Sequence, residues 1–339
     1  MTDWVCLPAR HPLQRRAERL DCPHCRVSYP QPEDIALFAP DPRALRQVQR
    51  SIPELEELWR LMEQHGSEGA ADLLAEKYGR SRTRLSSDWK FFLPLAAESR
   101  VLELGAGLGE DTAELCDRAA RVIAIVPTRT HALVLRRYLS EHRRGNADIA
   151  VMADISRLPL ADHSVDAIAM DQAGATGFGV SAHSFSDIAA EWNRILTAQG
   201  SVLMALGNRA WRLGVLERLL ARLRWRHHPA ALNRWIKQVG APAPAAPLSL
   251  TGVVRSMLRQ GFGAPTLYAP LPNQERTEAV IPLQGRAATL YFLRNLVRRD
   301  SFTSRAAVAV AKLLAGKGLL RWLVPDYLVC FKREPNRRG

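Results

Sequence analysis

Between residues 100 and 206, short apolar runs alternate with amphipathic stretches. Arg100 to Leu104 is a short apolar strand that ends in a glycine-rich turn, and Arg121 to Val126 is a continuous apolar run, as a strand buried on both faces requires. Asp148 to Met152, Val165 to Met170 and Gly200 to Leu206 read as three further strands. Glu110 to Arg118, Thr130 to His142 and Phe185 to Leu196 carry helical spacing between them. Strands alternating with helices predict a mostly parallel sheet with helices on both faces. Upstream, Ile52, Leu55, Leu58 and Leu61 recur three apart, and Leu73, Leu74 and Tyr78 continue the helical theme. Downstream, Leu250 to Gln260 predicts a helix stopped by Gly261. Thr266 to Ala269 and Tyr327 to Lys332 predict two more strands, bringing the sheet to seven, with a long insert containing an Ala/Leu-rich helix between them.

These patterns divide the chain into a Cys-, Pro- and Arg-rich segment at 1–40, a helical lead-in at 41–97 and a core at 98–272. A basic helical insert at 209–248 interrupts the core, a cap-like insert follows at 273–325, and the last strand and tail occupy 326–339. The 339 residues suffice for about two domains. No apolar run reaches the ~18 residues a membrane span needs. The best stretch, Ala306 to Val324, is broken by Lys312, Lys317 and Arg321. The N-terminus shows no apolar signal-peptide core, so a cytoplasmic location is expected. A net charge of +13 points to an anionic partner or to an arginine-solvated surface, and both readings stay open.

Chemistry concentrates at Val101-Leu-Glu103-Leu-Gly105-Ala106-Gly107-Leu-Gly109, where a strand gives way to a helix. Glycines there permit a tight turn and close approach of a ligand to the backbone. A dinucleotide loop would carry glycine at the position of Glu110, and an acid there repels a pyrophosphate. An acid two residues before the first glycine suits a cationic ligand instead.

This stretch resembles the first motif of class I, S-adenosylmethionine-dependent methyltransferases. The resemblance continues through Asp154-Ile155, Leu158-Pro-Leu160, Ser164-Val-Asp166 and Trp192-Asn-Arg-Ile-Leu-Thr-Ala-Gln-Gly200, over about 110 residues. It implies a Rossmann-like, seven-stranded α/β fold with S-adenosylmethionine as cofactor. Glu103 would then face the cofactor's amino-acid end, Gly105, Ala106, Gly107 and Gly109 its backbone seat, Asp154 the adenine amino group and Ile155 the adenine ring. The family usually carries an acid for the ribose hydroxyls where this chain has Val126. The missing charge-assisted bonds cost about 1.5–3 kcal/mol. Weak binding, rescue by Thr128 or Arg129, and a catalytically inactive binding or scaffold protein all remain open readings.

After the fourth strand, Asp171 is the candidate base or polarising group, with capping of the next turn as its structural alternative. His131 and His183 are weaker candidates. Near the start, Cys22-Pro-His-Cys25 is similar to half of a small zinc ribbon, with Cys6 left from the other half. Zinc takes four ligands, so Cys6, Cys22 and Cys25 need a fourth, either His11 or His24. Cys116 and Cys330 read as buried thiols.

The basic segment 209–238, with Trp211, Trp225 and Trp235, could meet an anionic membrane surface or RNA, or simply pack on the core. Gly207-Asn-Arg209, Met257 to Phe262 and Tyr268 to Asn273 are similar to bacterial methyltransferases of glycan and secondary-metabolite pathways. That likeness implies a small-molecule or glycan-type acceptor, methylated at oxygen, with RNA as the alternative.

Overall fold

A computed structural model describes residues 4–39, 42–49, 52–77, 88–208, 248–272, 277–284, 287, 291, 324 and 326–334. The basic segment 209–238 and Tyr78 lie outside these residues, as does the Ala/Leu-rich helix expected within 273–325.

Among the described residues the core is a nine-stranded sheet. Five strands alternate with helices as the sequence pattern predicts: β5 (Arg100–Leu104), β6 (Arg121–Val126), β7 (Ala147–Val151), β8 (Val165–Met170) and β9 (Leu196–Gly207). β10 (Thr266–Pro272) and β12 (Asp326–Lys332) complete the predicted seven. Two edge strands were not foreseen, β4 (Ile35–Leu37) and β11 (Thr277–Pro282). The spatial order is β11-β10-β12-β9-β8-β5-β6-β7-β4. Pairing is parallel from β4 through β9 and antiparallel from β9 to β12, β10 and β11. Chain direction along the sheet reverses at β5, which lies between β6 and β8. In such sheets the crevice outside the carboxyl ends of those strands is where ligands bind.

β6 is buried along nearly its whole length because both faces are covered. On one face Leu102, Ile123, Ile168 and Val202 pack with α6 (Phe185–Ile195) and α7 (Leu250–Arg259). On the other, Val101, Val122 and Leu203 meet Leu115 of α3 (Glu110–Arg118), while Ala124 and Val126 meet Leu135 of α4 (Arg129–Glu141). The lead-in forms α1 (Pro42–Val48) and α2 (Pro53–Lys77). Leu58 and Met62 of α2 pack on Val134 of α4, which explains the apolar spacing there. Gly66, at φ 72° and ψ 175°, breaks α2 into two pieces.

The N-terminal segment forms a small antiparallel sheet of β1 (Gln14–Arg16), β2 (Arg19–Asp21) and β3 (Ser28–Pro30). It shares the main core: Trp4, Leu20, Tyr29 and Phe38 pack in the same cluster as Leu102 and Trp192. β4 then pairs with β7, in the register Ile35 to Ile149. A three-residue strand buried on both faces has no alternation to read, so β4 left no pattern in the sequence.

Candidate functional site

The glycine loop leaves the carboxyl end of β5 and enters α3, with Gly105, Gly107 and Gly109 all at positive φ. Two of these glycines do different work. A Cβ on Gly105 would lie 2.2 Å from the Cα of Gly174, so glycine there lets two backbones touch. A Cβ on Gly107 would meet nothing within 4 Å, so the bare backbone at 107 faces open space. Gly174 belongs to α5 (Gln172–Gly177), a short helix absent from the sequence reading. It starts at Asp171, whose carboxylate accepts from the Gly174 amide at 2.6 Å.

Glu103 is 1% exposed, and both of its oxygens already have partners. One accepts from the Thr112 hydroxyl at 2.6 Å and the other from the Lys90 ammonium. Glu103, expected to face the cofactor's amino-acid end through water or directly, is thus a buried carboxylate with partners inside the protein. Lys90 also pairs with Asp111 at 2.9 Å. Burial alone would lower the Lys90 pKa, but the carboxylates of Asp111 and Glu103 outweigh it and hold the ammonium above the usual lysine range. Burial pushes the Asp171 carboxyl up to about 6, against the pull of Lys90 and the Gly174 amide. Glu103, Asp111 and Asp171 all act electrostatically on the Lys90 ammonium, so the four groups form one charged cluster. Sequence reasoning missed Lys90 and Asp111. The available signal was a lysine inside the aromatic run Trp89-Lys90-Phe91-Phe92.

The other candidates separate. Asp154 is exposed, and its oxygens accept from the Ser156 amide at 2.8 Å and hydroxyl at 3.0 Å, closing a tight turn. Ile155, expected to cover the adenine ring, is 1% exposed and packs with Leu158 and Leu160 in the core. Ala106 is likewise buried. Val126 is wholly buried and offers no polar atom. Of its expected substitutes, Thr128 caps α4 and shares its hydroxyl with the His131 ring at 2.9 Å, and Arg129 pairs with Glu33 at 3.6 Å. Burial lowers the His131 pKa to about 4, so the ring is neutral at pH 7 and committed to that cap. His183 is exposed. Cys116 is buried, and burial pushes its thiol up to about 12.

The N-terminal cysteines come together. Cys6, Cys22 and Cys25 converge with His11, their ligand atoms all within 4.8 Å of one another. Cys6 Sγ lies 3.7 Å from Cys25 Sγ, and His11 Nδ1 lies 3.3 Å from Cys25 Sγ and 3.9 Å from Cys22 Sγ. The edges of a zinc tetrahedron with these donors run about 3.5–3.8 Å. The amides of His11 and Cys25 donate to Cys6 Sγ and Cys22 Sγ, each at 3.3 Å, as thiolates require. Burial and then the neighbouring thiols push the Cys25 thiol up to about 11, a crowding that a shared cation would relieve. The donor set therefore fits zinc, and of the two expected histidines it is His11 that lies with the three cysteines. His24 is exposed, its ring centroid 4.7 Å from that of His11.

Residues 102–204 match the family described as "Methyltransferase domain". Uncharacterised methyltransferases of Mycobacterium tuberculosis and Mycobacterium bovis are 40% identical over 86 residues, which is 25% of this chain and 32% of theirs. The matched stretch thus spans about a third of those relatives. Among solved structures, the [4+2]-cyclase SpnF is 15% identical with a TM-score of 0.40, covering 79% of this chain and 82% of that one. The Haemonchus contortus phosphoethanolamine N-methyltransferase 2, solved with S-adenosyl-L-methionine, is 11% identical with a TM-score of 0.42, covering 82% of this chain and 60% of that one. Among the described residues no helix is long and apolar enough to cross a membrane.

Proposed function

Starting from a chain whose residues 102–204 are a methyltransferase domain, we propose that it transfers a methyl group from S-adenosylmethionine to a small-molecule or glycan-type acceptor, at oxygen. The observation that carries this reading is the glycine loop at the carboxyl end of β5, where a Cβ on Gly107 would meet nothing within 4 Å, inside a stretch that matches a methyltransferase domain. Glu110 and Asp111 in the first turn of α3 disfavour phosphates at that helix start and favour a ligand bearing an ammonium and a sulfonium.

S-adenosylmethionine, when bound, supplies a methyl group activated by a sulfonium. The chain contributes position and charge, which is most of what an in-line displacement needs. Glu103, Lys90 and Asp111 would set the field for the cofactor's amino-acid end, and Asp154 would accept from its adenine amino group. Asp171, with its pKa near 6, takes the proton that an acceptor hydroxyl releases. Val126 supplies nothing to the ribose, so affinity lies roughly ten- to a hundredfold below that of a site with an acid there. Zinc is proposed at Cys6, His11, Cys22 and Cys25, where it closes a loop and plays no part in the chemistry.

Calorimetric titration with S-adenosylmethionine tests the reading. Saturable binding is expected, and a dissociation constant weaker than about 1 mM, only ~4 kcal/mol of binding energy, would remove it. A second reading, methyl transfer to RNA, is favoured by the net charge of +13 together with the assembled Cys/His cluster. Filter binding to RNA at two salt concentrations separates the two, because binding driven by phosphates weakens steeply as salt rises.

A further inference from the structure

We propose that Glu191 is a positioning residue that ties the Cys/His cluster to the loop at 154–160, so that zinc occupancy sets the affinity for the cofactor. The inference rests on the reading above, in which Asp154 in this loop receives the adenine.

Glu191 lies on α6 and is a carboxylate only 5% exposed. Such burial demands partners, and Glu191 has them on two sides. Its Oε1 accepts from the backbone amide of Leu158 at 2.7 Å. Its Oε2 accepts from the Arg10 guanidinium at 3.1 Å. Arg10 sits between two of the zinc donors, Cys6 and His11, in a turn where its amide donates to the Cys6 carbonyl at 2.8 Å. Its φ of 58° is a left-handed conformation that a non-glycine residue adopts only under constraint. Arg194 clamps the arrangement from one turn away. It bonds Glu191 Oε1 at 2.6 Å and the Leu160 carbonyl at 2.8 Å.

Two further contacts join the same pair of segments. The Val5 amide donates to the Pro159 carbonyl at 3.0 Å, and Arg157 donates to the Pro8 carbonyl at 3.1 Å. Segment 5–11, which carries Cys6 and His11, therefore grips segment 157–160 through backbone and side chain alike. Zinc fixes the first segment, and the contacts pass that constraint to the second. Without zinc, three thiols and an imidazole have no common cation, and the turn at Arg10 keeps its bonds to Glu191 and to the Cys6 carbonyl but loses the tie to Cys22 and Cys25. Two sites linked through shared ordered contacts exchange coupling free energy in this way.

The test combines hydrogen exchange across residues 154–160 with S-adenosylmethionine calorimetry on the zinc-loaded protein, the chelated protein, and the Arg10→Ala and Glu191→Gln variants. Chelation is expected to speed exchange at the Leu158 amide and to weaken cofactor binding by roughly tenfold. Arg10→Ala removes a guanidinium 39% exposed and leaves Glu191 paired with Arg194. With zinc retained, this variant should already show the faster exchange and about fivefold weaker binding, and chelation should then add little. Glu191→Gln keeps an acceptor for Leu158 and should fall between wild type and Arg10→Ala. Unchanged exchange after chelation, a full chelation response in Arg10→Ala, or a protein that takes up no zinc would each overturn the proposal. Zinc-dependent exchange in a protein that never binds the cofactor would uphold the link from zinc to the loop. It would sink the cofactor reading and with it the claim on affinity.

Discussion

Lys90 holds its ammonium against Glu103 and Asp111, where water scarcely reaches, and that arrangement makes it an energetic keystone. Replacing it with methionine keeps the bulk and takes the ammonium from Glu103, which retains the Thr112 hydroxyl as a side-chain partner. Lys90→Met should cost about 3–5 kcal/mol, and adding Glu103→Gln should recover part of that loss. Urea denaturation at pH 7 measures both, and a double variant no more stable than the single one would refute the pairing. Asp171 responds to pH in a direction its burial fixes. Its folded pKa of about 6 exceeds the unfolded value of about 3.9, so protonation favours the fold. The contribution is fully present below about pH 4 and is lost as pH rises through 6. Asp171→Asn keeps the oxygen that caps α5 and removes the titration. The stability of wild type relative to this variant should therefore fall between about pH 4 and 6, whereas a flat difference in urea melts would contradict the assignment.

Among the elements, the contact between the glycine loop and α5 sorts the glycines by role. Gly105→Ala forces a methyl group to within 2.2 Å of the Gly174 Cα, a backbone atom that cannot step aside cheaply. It should destabilise the protein by about 2–3 kcal/mol or more. Gly107→Ala meets open space, should cost only about 1 kcal/mol of conformational strain, and should weaken cofactor binding instead. Thermal melts and calorimetry on the same two proteins read this contrast, and equal losses of stability would remove it. The Cys/His cluster behaves as an element of its own, since four donors from two turns converge on one point. Cys22→Ser should abolish stoichiometric zinc and lower the melting temperature by roughly 5–10 °C. Metal analysis and scanning calorimetry are the checks, and an unchanged melt would reduce the cluster to a packing feature.

Across the whole molecule, the N-terminal segment and the sheet share one core. β4 covers the open edge of β7, and Trp4, Tyr29 and Phe38 enter the main core. Deleting residues 1–39 should bare that edge and those apolar contacts, giving an aggregated product. A soluble, monodisperse truncated chain on gel filtration would show that the two parts fold separately. The sequence by itself determined the alternation of strands and helices, the seven strands from β5 to β12 with β11 excepted, and the glycine loop. These features depend on local periodicity and on spacing along the chain, both visible in one dimension. It also marked Cys6, Cys22 and Cys25, since two cysteines three apart with a third nearby form a pattern. Only the tertiary structure chose His11 over His24, placed Lys90 beneath Glu103, buried Ile155 and Val126, and added β4 at the edge. Each of those outcomes turns on which distant side chain arrives at a given point, and therefore on a packing free energy summed over residues far apart in the chain.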